Sequence, residues 1–153
     1  MRLALFQPDI PQNLGGSIRL AACLGIPLEV IEPCGFPLSD KSLRRAAMDY
    51  EHAAEIRRWD SWAAFLAGRA PGRLVLFTTK AADPFHRFAW RADDVLLFGR
   101  ESAGVPDEVH AAADARLFIP IRPETRSLNV VTAAAIALAE GLKATGGFPS
   151  APA

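Results

Sequence analysis

Cysteine is scarce in this chain: only Cys23 and Cys34 occur, with ten residues between them and no histidine close by. That spacing excludes a disulfide framework and a zinc site of ordinary pattern. The two read as reduced, buried thiols of a cytoplasmic protein. An excess of either charge is also missing. Lys+Arg and Asp+Glu both number 17, so the net charge is zero. Grip on nucleic acid by bulk charge is therefore excluded, although a local basic patch is not. Long apolar runs are lacking, since none reaches the roughly 18 residues a membrane span needs. Met1–Phe6 passes straight into Gln7-Pro8-Asp9, which leaves no signal-peptide core. Histidine is limited to His52, His86 and His110, scattered singly and none with a Cys close by, so no metal site is expected. There is no G-x-S-x-G nucleophile elbow. Gly15-Gly16 matches neither G-x-G-x-x-G nor G-x-x-x-x-G-K-[ST], so neither phosphate loop is supported.

What is present points to one globular domain. The 153 residues are 50% hydrophobic and 22% charged. Of the 17 basic residues 14 are arginine, the side chain best shaped for planar contacts to phosphate. No internal repeat occurs. Residues 1–147 read as the domain and 148–153 as a flexible tail. Short apolar runs alternate with amphipathic stretches, the pattern of an α/β domain with a mostly parallel sheet.

The expected elements run as follows. Arg2–Phe6 is a strand. Asn13 is a plausible N-cap for a helix with Ile18, Ala21, Ala22 and Leu24 inward and Gly25 at its end. Leu28–Ile31 is the second strand. Asp40 can cap a short helix holding Leu43, Arg44, Arg45 and Ala46. Ala54–Arg57 is a short strand. Ser61 caps a helix with Trp62, Phe65 and Leu66 inward. Leu74–Thr78 and Val95–Phe98 read as buried parallel strands. Asp93-Asp94 reads as a solvated turn, and His52 and His110 as solvated helix-surface residues. Pro106-Asp107-Glu108 starts another helix and Arg116–Ile121 is the last strand. Thr125 or Ser127 opens a long Ala-rich helix ending near Lys143. From Leu128 to Leu142 that helix is nearly all small or apolar, so it needs cover on more than one side. A helix from a second copy is a natural cover, and other helices of the same chain are the alternative.

Three strand ends carry the chemistry. The loops are Gln12-Asn13-Leu14-Gly15-Gly16-Ser17-Ile18-Arg19, then Gly99-Arg100-Glu101-Ser102-Ala103-Gly104-Val105-Pro106, then Pro120-Ile121-Arg122-Pro123 through Ser127-Leu128-Asn129. Ligands of open α/β sheets bind beyond the carboxyl ends of the strands. Each loop alone could be only a turn or a helix start.

Taken together, in this order and strand context, the three loops resemble the motifs of the SpoU branch of the SPOUT RNA methyltransferases. The likeness extends from Leu3 to Gly147 and takes in Ile31-Glu32-Pro33, Gly35-Phe36, Leu43-Arg44-Arg45-Ala46, Asp49-Tyr50 and Thr78-Thr79-Lys80. It is greatest to the minimal single-domain members, which methylate the ribose of the tRNA wobble nucleotide. One position departs: the first motif usually reads Asn-x-Gly-Asn, and here Gly16 stands in place of the second Asn.

The resemblance implies a single α/β domain, mostly parallel, with helices on both faces and a C-terminal trefoil knot. It implies S-adenosylmethionine as methyl donor, S-adenosylhomocysteine as product and no metal. Cofactor contacts would come from Phe77, Thr78, Gly99, Glu101, Ile119, Ser127 and Leu128. Catalysis would fall to Arg19, Ser127, Asn129 and Glu101, with Arg19 acting either as general base or as electrostatic stabiliser of the developing alkoxide. Arg19, Arg44, Arg45 and Arg126 would touch RNA. The implied partners are the tRNA anticodon stem-loop, methylated at position 34 (cytidine or modified uridine), and a second copy in a homodimer. A cytoplasmic setting without membrane contact follows. Ribosomal-RNA members of the branch usually carry an extra N-terminal RNA-binding domain, and a first strand at residue 2 leaves no room for one. A non-catalytic RNA- or nucleotide-binding module that keeps the fold is the other reading, and Gly16 alone favours it.

Overall fold

The computed structural model describes residues 1–39, 41, 45, 50 and 53–150. The elements whose extent is described are β1 (Arg2–Phe6), α1 (Pro11–Leu24), β2 (Leu28–Ile31), β3 (Ile56–Trp59), α2 (Trp62–Gly68), β4 (Leu74–Phe77), β5 (Asp83–Pro84), a 3-10 turn (Phe85–Arg87), β6 (Val95–Phe98), α3 (Asp107–Ala112), β7 (Ala115–Phe118) and α4 (Val130–Thr145). The strands form one sheet in the order β3-β2-β1-β6-β4-β7-β5. Every pairing in it is parallel. The chain runs outward from β1 to β3, then crosses to the far side of β1 for the rest. The carboxyl ends of β1, β6, β4 and β7 therefore lie side by side.

Alternation along β1 sets the two layers. Leu3 and Leu5 join a core with Leu14, Ile18 and Ala21 of α1 and Ala134, Ala137 and Leu138 of α4. Ala4 and Phe6 face the other way, into a core with Phe65 of α2 and Val109 of α3. Helices thus cover both faces. Every residue of β4 and β6 is buried, which explains their unbroken apolar sequences. Among the described residues, one buried charge sits within the sheet. Glu29 is 1% exposed, and its carboxylate accepts from Arg2 at 3.1 Å and from the Trp59 indole at 2.6 Å. Such pairing is what makes a buried carboxylate tolerable.

Several local expectations are corrected. Asn13 does not cap α1. Pro11 takes the first helical turn, Ile10 precedes it in extended conformation, and Asn13 is turned inward and buried. The third strand lies two residues later than Ala54–Arg57, because Trp59 is the side chain it buries. Ser61 does cap α2, its Oγ accepting from Ala64 N, but Leu66 is 41% exposed rather than inward. β7 stops at Phe118, short of Ile121, where Pro120 can no longer donate to a ladder. Neither Thr125 nor Ser127 opens α4. Asn129 does, its Oδ1 accepting from Val131 N and Thr132 N, while Thr125 closes a turn onto the Arg122 carbonyl. α4 continues to Thr145 and ends at Gly146, whose φ of 66° suits glycine.

Cys23 is exposed on α1 rather than buried, and Cys34 is half-buried. Burial pushes the Cys34 thiol up to about 11. Asp93 does lie exposed in a turn, which Asp94 N closes onto the Arg91 carbonyl, but Asp94 is not solvated: it is fully buried and accepts two bonds from Arg73 at 2.8 Å and one from Arg91 N at 2.8 Å. His110 is half-buried. Asp40, Leu43, Arg44, Ala46 and His52 lie outside the described residues. Among the described residues, no helix is long and apolar enough to cross a membrane.

Candidate active site

A cavity of about 830 Å³ opens where β4, β6 and β7 end. Its floor is aromatic. Phe77 and Phe98, cross-strand neighbours, stack with centroids 4.9 Å apart, and Trp90 stacks on Phe77 at 6.3 Å. Interlocked rings of this kind hold their shape. One wall is the segment from Ile119 to Asn129, and the other is the loop after β6. That loop folds back on itself: Arg100 and Gly104 exchange two backbone hydrogen bonds of 2.9 Å. A Cβ on Gly99 would stand 2.6 Å from the Gly104 carbonyl carbon, so only glycine permits the turn.

A chain of hydrogen bonds joins the three loops. Glu101 Oε2 accepts from Asp9 N at 3.1 Å, and Asp9 Oδ1 accepts from Glu101 N at 3.2 Å. Asp9 Oδ2 also accepts from Ser102 N and Ser102 Oγ. Glu101 Oε1 accepts from Asn13 Nδ2 at 2.8 Å, and Asn13 Oδ1 accepts from Asn129 Nδ2 at 2.9 Å. The direction is enforced. A carboxylate only accepts, so Asn13 must offer it the amide NH₂, which turns the Asn13 oxygen to Asn129. Asn129 then has its own oxygen left for the start of α4. The two acids at the head of this chain titrate as a pair. Hydrogen bonding with Glu101, and then with Ser102, holds Asp9 down at about 2. Burial first, and the Asp9 carboxylate second, push Glu101 upward.

All seven residues expected to touch a cofactor, Phe77, Thr78, Gly99, Glu101, Ile119, Ser127 and Leu128, line this one cavity. Asn129 and Arg126 line it too. Arg19 does not. It lies on the exposed face of α1, opposite Leu14, Ile18 and Ala21, with its guanidinium over the Tyr50 ring. Arg45 is exposed and apart from the cavity, and Arg44 lies outside the described residues. Among the described residues, no group of three metal-donor side chains converges.

The sequence pattern of the SpoU rRNA Methylase family matches residues 1–139. The chain belongs to that family. Among SpoU relatives, the tRNA (cytidine(34)-2'-O)-methyltransferase of Beijerinckia indica subsp. indica is 56% identical over 146 residues, 94% of this chain and 91% of that protein. A solved structure described as "Structural insights into the 2-OH methylation of C/U34 on tRNA" superposes with a TM-score of 0.84. It is 41% identical and covers 94% of this chain and 89% of its own. The AdoMet-bound rRNA methyltransferase from Sinorhizobium meliloti superposes with a TM-score of 0.81 at 28% identity, over 93% of this chain and 55% of its own.

Two features of the SpoU site are not legible in the sequence. Asp9 carried no signal, being one polar residue in a short loop. Asn13 was visible but read as a helix cap, because its inward partners lie 88 and 116 positions away.

Proposed function

We propose that this protein transfers a methyl group from S-adenosylmethionine to the ribose 2′-hydroxyl of nucleotide 34 of tRNA, working as a cytoplasmic homodimer through residues 1–147. One observation carries the proposal: three loops bearing the SpoU motifs meet at a single cavity, in a chain 56% identical to a protein named for that reaction. The same membership leads us to propose that the segment around β7 and α4 closes as a trefoil knot.

The cavity suits the cofactor. Phe77, Ile119 and Leu128 offer the apolar slot an adenine needs, and Thr78, Ser127 and Asn129 the few polar groups that fix orientation. When bound, the cofactor supplies an electrophilic methyl on a sulfonium, so no metal is required. The work left to the chain is alignment and management of the ribose proton. Ser127 and Asn129 orient the ribose and the amino-acid end of the cofactor. Glu101 keeps Asn13 and Asn129 in register. Arg126 sits at the mouth and meets phosphate, joined by Arg44 and Arg45 on the RNA path.

Arg19 acts electrostatically. Guanidinium groups keep their protons in proteins, so it grips phosphate and steadies the developing alkoxide rather than accepting a proton. Because it faces away from its own cavity, it serves the cavity of the second copy. Among the described residues, Ile136 on the outer face of α4 stays 37% exposed, and a dimer contact would cover it. The test is methylation of bulk tRNA from a strain lacking this activity, with the product mapped by mass spectrometry. A 2′-O-methyl group at position 34 supports the proposal, and a methyl group mapped to any other nucleotide overturns it.

A further inference from the structure

Tyr50 is the only tyrosine in the chain. Its backbone carbonyl is tied down, accepting from Ala53 N at 3.0 Å and Ala54 N at 2.9 Å. Its half-buried ring lies 5.3 Å from the guanidinium carbon of Arg19. Arg19 is solvent-exposed, and among the described residues it makes no hydrogen bond or ion pair. A long side chain with nothing to hold it samples many rotamers, and ordering it later costs free energy.

We infer that Tyr50 is a positioning residue for Arg19, a role that rests on the electrostatic part assigned to Arg19 above. The choice of partner has a chemical logic. A carboxylate would hold the guanidinium by occupying its N–H donors and cancelling its charge. An aromatic face holds it through the ring quadrupole and leaves all five donors and the charge free. Arg19 is thereby restrained yet fully available to a phosphate and a developing alkoxide. Only the ring is needed for this, not the hydroxyl.

The test compares Tyr50→Phe, Tyr50→Leu, Arg19→Gln and the Tyr50→Leu/Arg19→Gln double variant in the dimer, using single-turnover and steady-state transfer to an anticodon stem-loop. Tyr50→Phe should keep kcat. Tyr50→Leu should lower kcat about two- to fivefold, the range of an exposed cation–π contact, with little change in KM for RNA or in cofactor affinity. On the Arg19→Gln background, Tyr50→Leu should cost nothing further. An independent readout is the Arg19 side-chain NMR signal, which the Tyr50 ring should shift upfield and Tyr50→Leu should return to the solvent value. If Tyr50→Leu fails to bind cofactor, Tyr50→Met makes the same comparison. The inference is overturned if Tyr50→Phe is as damaging as Tyr50→Leu, if only KM for RNA rises, or if Tyr50→Leu costs the same factor on both backgrounds. Near-normal turnover by Arg19→Gln would instead remove the reading of Arg19 itself.

Discussion

Asn13 Nδ2 donates to Glu101 Oε1 at 2.8 Å, linking the first turn of α1 to the loop after β6. Both Glu101 oxygens act as acceptors, the second from Asp9 N. Glu101→Gln must therefore point an amide NH₂ at a donor. We expect a loss of about 1 kcal/mol in stability, the cost of one unsatisfied, partly buried bond. Methyl transfer should fall with it. Asn129→Ala removes the α4 cap and should cost about 1 kcal/mol. Denaturant unfolding and initial rates check both. Full stability in Glu101→Gln would show that the directed chain of bonds is unimportant.

Arg19→Ala should abolish or strongly reduce transfer while cofactor affinity stays close to wild type, because the side chain lies outside its own chain's cavity. Gly99→Val should do the reverse, losing the cofactor through a clash with Gly104. Mixed and refolded together, the two inactive variants should regain part of the activity, since some mixed dimers then hold one intact cavity facing one intact Arg19. No recovery in a verified mixed dimer would contradict the shared site.

Acid stability should report the Asp9–Glu101 pair. Asp9 titrates at about 2 in the fold against 3.8 normally, so its contribution is present above 3.8 and is lost as pH falls toward 2. Glu101 is shifted the other way, raised from 4.5. Its contribution is present below 4.5 and is lost as pH rises through its folded value. Asp9→Asn should flatten the stability loss between pH 3.8 and 2, and Glu101→Gln should flatten the loss on the other side. Urea unfolding at a series of pH values measures this. An unchanged acid slope in Asp9→Asn would contradict the assignment.

Gly16 stands where α1 packs closely on α4. A Cβ there would lie 3.1 Å from Val131 Cγ2, so Val131 must yield by a few tenths of an ångström to admit a larger residue. Val131 is only partly buried. Gly16→Asn should therefore be tolerated, with stability within about 1 kcal/mol by thermal unfolding, helix propensity offsetting part of the crowding. Failure of this variant to fold would mean the helix contact is rigid.

The features legible in the sequence are those that local pattern determines. β4 and β6 stood out because burial on both faces leaves no polar position in either, and α2 because Ser61 has the side chain a cap requires. β5 was invisible: two residues, one of them proline, pair only with Leu117 and Phe118. Asp94 closes a turn as expected but looked solvated, because its partner Arg73 is 21 positions away. Asn129 and Asn13 are the same residue type, yet one caps a helix and the other binds a carboxylate. What separates them is the position of Glu101 in three dimensions. The grouping of Phe77, Gly99, Ile119 and Ser127 at one cavity likewise depends on strand order, which periodicity does not reveal. The family motifs supplied that grouping in advance.

The most direct test uses two anticodon stem-loops, one all-ribose and one carrying a 2′-deoxy residue at position 34, each incubated with the protein and labelled S-adenosylmethionine. The all-ribose RNA should accept one methyl group, mapped to nucleotide 34, with affinity falling as salt rises. The deoxy RNA should accept none. Equal labelling of the two, or a methyl group mapped to any other nucleotide, would contradict the assignment.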